Sequence, residues 1–237
     1  MQRLDTPELL DEHDAPSDDV ERSLRDLQRF NKWCGGTRVY RAMVRKLLVG
    51  APHPGFAVPL PASGERVGEG RVRGATRPPV IDLGAGTADL VDSLGGNGIA
   101  VDWNIRHLLY QRNTSHARRV VADARRLPFR DNAADAVTSS HFFHHFTPEE
   151  NVEILRESLR VARVGVAMTD TRRHPAPLLF TLLLRWLHLV GRITAFDAPA
   201  SIRRGYTTSE ARAIAERVAP AIVKNYAPFR WAIFLRK

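Results

Sequence analysis

Two amphipathic stretches open the chain. Over residues 21–33, Leu24, Leu27, Phe30 and Trp33 recur at near-helical spacing, and Tyr40, Met43, Val44, Leu47 and Leu48 share one face of a second helix. The run from Asn31 to Gly36, closing on Gly35-Gly36, separates them. Residues 1–20 are polar and acidic and read as loosely held. Residues 51–79 repeat Pro and Gly, fit neither period and read as a long connector, so the main domain is expected to start at about Pro79.

From there short apolar runs alternate with helical segments, a pattern that calls for a mostly parallel sheet covered on both faces. Strands are predicted at residues 80–83, 98–102, 119–122, 135–139 and 164–169, with helices at 87–94 and 105–113. A further helix has its start written out: Thr147 as N-cap, Pro148 in the first turn and Glu150 closing a capping box, ahead of Val152, Leu155 and Leu159. Thr207 and Glu210 repeat that box for a helix reaching Val218. The chain then closes in two strands, 221–226 and 230–235, joined by a turn at Pro228.

Residues 177–196 are the most apolar stretch, yet Arg185, His188 and Arg192 interrupt them. A central arginine costs a membrane span about 3 kcal/mol, so the segment reads first as an amphipathic lid over a site, and secondly as a contact for a membrane surface.

Composition trims the possibilities. A chain of 237 residues with 43% apolar content has room for one catalytic domain with small additions. The formal charge of +9 would suit a nucleic-acid partner if it were clustered, but it is scattered, and only Lys32, Lys46, Lys224 and Lys237 are lysines. Nucleic acid is therefore disfavoured. The acidic beginning lacks the apolar core of a secretory signal, which points to the cytoplasm. With Cys34 alone there is neither an internal disulfide nor a multi-cysteine metal site, and Cys34 is expected to serve as a small buried hydrophobe.

The chemistry concentrates in Val80-Ile81-Asp82-Leu83-Gly84-Ala85-Gly86-Thr87-Ala88-Asp89, a strand running into a glycine turn. Such a turn lets backbone approach a ligand at the carboxyl end of a strand. A dinucleotide fingerprint needs glycine or alanine where Asp89 stands, and a carboxylate there would repel a pyrophosphate. A positively charged sulfonium ligand tolerates it. Asp102 ends the next strand and is placed to accept from both hydroxyls of a ribose, while Asp123, after the third, is placed to accept from an adenine amine beside the N–H of Ala124.

In order and spacing, D-x-G-x-G-x-A-D at Asp82 to Asp89, V-D at Val101-Asp102, A-D-A-x-x-L-P-F at Ala122 to Phe129, D-x-V-x-S-S at Asp135 to Ser140 and H-H-F-x-P-E-E at His144 to Glu150 resemble the class I S-adenosylmethionine-dependent methyltransferases. The likeness is to the group that includes ubiquinone and menaquinone methyltransferases and natural-product O-methyltransferases. It covers residues 79–170 and departs at Ala88, where many members have a third glycine. The resemblance implies a Rossmann-like α/β fold: a seven-stranded, mostly parallel sheet with an antiparallel C-terminal strand. Residues 1–78 would be an N-terminal helical extension and connector, and 79–237 a catalytic domain with the lid at about 171–206. It implies that S-adenosylmethionine lies against Asp82, Gly84, Ala85 and Gly86 at its methionine end, with Ser139 closing that end. Asp102 would hold the ribose, Trp103 would cover one adenine face, and Asp123 with Ala124 would read the adenine edge.

Methyl transfer needs an aligned nucleophile and a proton acceptor, and no metal. His144 and His145 stand where an acceptor should lie, with Asp170 after the fifth strand; His141, between Ser140 and Phe142, ranks behind them. The expected acceptor is a small lipophilic or aromatic molecule, with oxygen favoured, in secondary metabolism. The rivals are an RNA methyltransferase, which the absence of an N-P-P-Y-type motif disfavours, a non-catalytic adenosylmethionine-binding protein and an NAD-dependent oxidoreductase.

Overall fold

A computed structural model describes residues 1–4, 6–11, 16–49, 79–95, 98–110 and 112–237. The connector expected at 51–79 lies, but for Pro79, outside them.

Seven strands form one sheet in the order β3-β2-β1-β4-β5-β7-β6. They are β1 (Val80–Leu83), β2 (Gly98–Asp102), β3 (Arg118–Val121), β4 (Ala134–Ser140), β5 (Ala162–Thr171), β6 (Ala221–Tyr226) and β7 (Arg230–Arg236). β1 to β5 pair in parallel, and β7 runs antiparallel to both β5 and β6. β2 and β4 are buried along their whole length, as strands covered on both faces must be. The strand order reverses between β1 and its neighbours β2 and β4, which opens a crevice at their carboxyl ends.

The helices are α1 (Ser17–Trp33), α2 (Gly36–Leu48), α3 (Asp89–Asp92), α4 (Ile105–Leu109), α5 (Pro148–Val161), α6 (Pro175–Trp186), α7 (Arg192–Arg204) and α8 (Thr208–Glu216). Both expected capping boxes are present, at Thr147/Glu150 and Thr207/Glu210. On one face of the sheet Ile154, Leu155 and Ile214 pack with Phe143 and Trp231. On the other, α2 lays Tyr40, Met43, Val44 and Leu47 against Ala136, Ala167 and Phe234, a burial that contributes about 1.5–3 kcal/mol for each large side chain. α1 packs beside α7 through Val20, Leu24 and Ile193, with Leu9 and Leu10 against them.

Several bounds differ from the sequence expectations. The helix expected at 87–94 is the single turn α3, because Ala88 adopts a left-handed conformation at φ 66° and delays its start. The helix expected at 105–113 ends at Leu109, where Tyr110 turns extended, and a separate 3-10 turn covers Arg112–Thr114. β3 sits one residue earlier than expected, and β5 is longer because β4 and β7 both pair with it. The apolar segment divides into α6 and α7, since His188 is left-handed and Gly191 caps a new start. α6 buries none of its residues, and Leu179, Leu183 and Trp186 stand exposed. Among the described residues no helix is long and apolar enough to cross a membrane.

Candidate active site

A cavity of about 920 Å³ opens over the carboxyl ends of β1, β2 and β4. Its floor is local in sequence. Gly84 and Gly86 both have positive φ, 60° and 50°. A side chain at Gly84 would strike the Phe142 ring, whereas one at Gly86 would enter open space, so Gly86 leaves room for a ligand at the backbone. Beneath the turn, Asp102 is buried and held by two backbone donors: Gly86 N–H to Oδ2 at 2.9 Å and Asn104 N–H to Oδ1 at 2.9 Å. Those bonds fix the carboxylate while leaving each oxygen further acceptor capacity. Trp103 beside it is 56% exposed and lines the cavity.

Asp82 lies deeper. Its Oδ1 accepts from Thr138 Oγ1 at 3.0 Å, and the Tyr40 hydroxyl is 2.8 Å from that same Oγ1. Burial pushes the Asp82 carboxyl up to about 7, against the lowering effect of these hydroxyls. Asp89 is held by Asn31 Nδ2 at 3.1 Å and Thr87 Oγ1 at 2.7 Å, which ties the end of α1 to the glycine turn.

At the other end of the floor Ala124 is buried, but Asp123 is already engaged. Arg125 donates to it from backbone N–H, Nε and Nη2 at 2.9–3.1 Å, and that hydrogen bonding lowers the carboxyl's pKa. Ser139 does not line the cavity; Ser140 does. Side chains alternate along β4, so a one-residue difference decides which serine reaches the site. The Ser140 hydroxyl is buried with no hydrogen-bond partner.

The acceptor side is assembled from distant segments. His144 sits in a 3-10 turn, Phe143–His145, with its Nδ1 2.8 Å from Asp170 Oδ2 and its Nε2 3.1 Å from Glu8 Oε1. Its backbone N–H also donates to Asp170 Oδ2, at 3.0 Å. Burial favours the neutral form of each group, yet their mutual attraction and hydrogen bonds outweigh it. His144 rises to about 10, Glu8 falls to about 2 and Asp170 also falls below the ordinary carboxylate range. His144 is thus a buried imidazolium with both nitrogens taken. The His145 ring lies tilted against it at 31° with centroids 4.2 Å apart, is partly exposed, and places Nδ1 3.1 Å from Asp11 Oδ2.

Glu8, Asp11, Asn31, Phe142 and Arg230 also line the cavity, and none stands in the recognised motifs. Asn31 and Cys34 lie in the segment that the sequence marks by Gly35-Gly36. Cys34 is half-buried on the cavity wall rather than packed in the core, and burial raises its thiol pKa despite Arg230 nearby. The ligating atoms of Glu8, His144 and His145 lie within 4.8 Å of one another. That donor set is suitable for a divalent ion only after His144 gives up a proton.

Residues 81–168 match the model of a methyltransferase domain family. A demethylmenaquinone methyltransferase of Mycobacterium sp. (strain KMS) is 33% identical over 132 residues, covering 52% of this chain and 56% of the relative. The chain thus spans little more than half the length of the curated relatives it matches. Among solved structures, a SAM-dependent methyltransferase from Aquifex aeolicus is 17% identical with a TM-score of 0.51, over 69% of this chain and 84% of that one. Human N-acetylserotonin methyltransferase in complex with SAM is 12% identical with a TM-score of 0.61, over 94% of this chain and 56% of that one. At such identities the likeness is one of fold.

Proposed function

We propose that this chain, whose residues 81–168 form a methyltransferase domain of the class I superfamily, transfers the methyl group of S-adenosylmethionine to a small lipophilic acceptor, with oxygen the favoured atom. The observation that carries this reading is the pinned Asp102 carboxylate beneath the open space at Gly86, in one cavity with His144 and His145. The residues present fit such a cofactor. Its sulfonium is tolerated by Asp82 and Asp89, and the turn bears no side chain where the cofactor would approach.

In this reading Asp82, Gly84, Ala85 and Gly86 line the methionine end, Asp102 accepts from the ribose hydroxyls, and Trp103 covers the adenine. Ala124 and Asp123 border the adenine edge, Asp123 reaching it only as Arg125 shares it. Ser140 takes the place expected of Ser139. Residues 79–237 act as the catalytic domain, 1–78 as an extension whose first helix, α1, borders its site, and 171–206 as the lid. The setting is the cytoplasm and secondary metabolism, with the exposed leucines of α6 guiding a lipophilic acceptor to the mouth. From Arg172 to Phe196 the chain has no acidic residue and Arg185 and Arg192 are exposed, so this segment suits contact with an anionic membrane surface.

The bound cofactor supplies a methyl carbon already activated by a sulfonium leaving group. The chain's own residues hold the acceptor oxygen in line with it and receive the acceptor's proton. His145, oriented by Asp11, takes that proton, because His144 is already charged. Asp170 and Glu8 engage both nitrogens of the His144 cation, which fixes the turn that carries His145. Calorimetry with S-adenosylhomocysteine tests the first half of the proposal. Binding that Asp102→Ala abolishes is expected; no binding to the wild-type protein would sink the reading.

A further inference from the structure

Arg230 begins β7, outside the segment that matches the methyltransferase family, and it is only 4% exposed. A buried guanidinium is ordinarily paired with a carboxylate, because leaving water uncompensated is costly for a charge. Here no carboxylate closes on it among the described residues. Asp170, the carboxylate whose charge acts on it, spends Oδ2 on His144 and Oδ1 on the Thr171 N–H. The hydrogen-bond partner of Arg230 is the neutral ring of His141, which accepts from Nη2 at Nε2. Its Nη1 is buried without any partner.

The surroundings are built to hold this guanidinium in place. His141 adopts a left-handed conformation at φ 54°, a strained choice for a non-glycine residue, with Thr171 Oγ1 3.4 Å from its Nδ1. The corner between α1 and α2 closes from above: a Cβ at Gly36 would come within 3.2 Å of Arg230 Nη2 and 2.6 Å of Asn31 Oδ1. Arg230 lines the cavity together with Asn31, Cys34, Ser140, His141 and Phe229. Ser140 is the second residue on that wall whose buried polar atom has no partner.

We propose that Arg230 anchors a carboxylate-binding subsite in this cavity, taking the carboxylate of a bound ligand on its open Nη1 edge with the Ser140 hydroxyl as a second donor. A planar, permanently charged fork matches a carboxylate in two hydrogen bonds, and the ligand supplies the counter-charge that the protein withholds. The carboxylate has two available sources: the acceptor, which would then be a lipophilic acid, and the amino-acid end of the cofactor. The second source rests on the function proposed above; the first does not.

The test compares wild type, Arg230→Lys and Arg230→Met, by calorimetry, against four probes: S-adenosylhomocysteine, 5′-methylthioadenosine, 4-hydroxybenzoate and its methyl ester. If the cofactor is the source, Arg230→Met weakens S-adenosylhomocysteine about ten- to a hundredfold and leaves 5′-methylthioadenosine, which has no carboxylate, unchanged. If the acceptor is the source, the loss falls on 4-hydroxybenzoate and spares its ester. In either case Arg230→Lys lies between. Thermal melts separate a ligand role from a structural one: ligand-free Arg230→Met is expected to melt no lower than wild type, having lost an unpaired buried charge, while ligand-induced stabilisation disappears. Equal binding of every probe by wild type and Arg230→Met would overturn the subsite. Failure of wild type to bind either adenosyl probe would count against the cofactor reading and leave the benzoate arm standing.

Discussion

The two ends of the cavity are made differently. The floor takes Asp82, Gly84, Gly86 and Asp102 from two adjacent strands and the turn after the first. The acceptor side joins Glu8 to His144 across 136 positions and His141 to Arg230 across 89. On the floor Asp102 is fixed by backbone N–H donors, whereas on the acceptor side His144 is fixed by charge. A backbone-built floor suits a ligand that never changes, whereas charged side chains drawn from several segments can be retuned without disturbing the sheet.

That contrast can be broken from either end. The largest effect is expected at Asp102→Ala, which removes both ribose acceptors and loosens the glycine turn. S-adenosylhomocysteine affinity should fall more than about a hundredfold by calorimetry, and an unchanged value would remove Asp102 from the site. His145→Ala should lower turnover by about a hundredfold with cofactor affinity preserved; full activity in single-turnover assays would place the base elsewhere.

Glu8→Gln tests the charge-built half through stability. Its partner His144 is raised to about 10, so that contribution is complete below the unfolded value near 6.5 and is lost as pH rises toward 10. Glu8 is lowered to about 2, so its own contribution is complete above about 4.5 and is lost as pH falls toward 2. Denaturant melts should therefore show the variant about 3 kcal/mol less stable at pH 5–6, with the gap closing at both extremes. A gap independent of pH would show that the imidazolium does not hold residue 8. The smallest effect is expected at Trp186→Ser on α6. Trp186 is 74% exposed, so stability should stay within about 0.5 kcal/mol of wild type while KM for a lipophilic acceptor rises. A large loss of stability would mean that α6 is packed in solution.

The same contrast explains what the sequence revealed. β1, β2 and the two capping boxes are written in neighbouring residues, so their periodicity and cap chemistry suffice. Asp102 ends β2 and Ala124 stands in the loop just after β3, so their places on the cavity wall are legible from neighbouring residues. α3 was legible as a helix but not in its bounds, and its start was misplaced because a left-handed Ala88 has no side-chain signature. Ser139 and Ser140 differ only in which way β4 faces them, and a Ser-Ser pair gives no hint of that. Glu8 sits in a polar segment that reads as loose, and its role exists only once His144 is beside it. Arg230 is one arginine among many in a basic chain; its burial comes from the α1–α2 corner folding over the start of β7.

Transfer of labelled methyl from S-adenosylmethionine into a panel of lipophilic hydroxylated acceptors, acids and their esters included, tests the central reading most directly. A product heavier by one methylene, formed by wild type, lost in Asp102→Ala and strongly slowed in His145→Ala, is expected. Tight binding of S-adenosylmethionine with no labelled product from any acceptor, or label appearing in RNA instead, would contradict it.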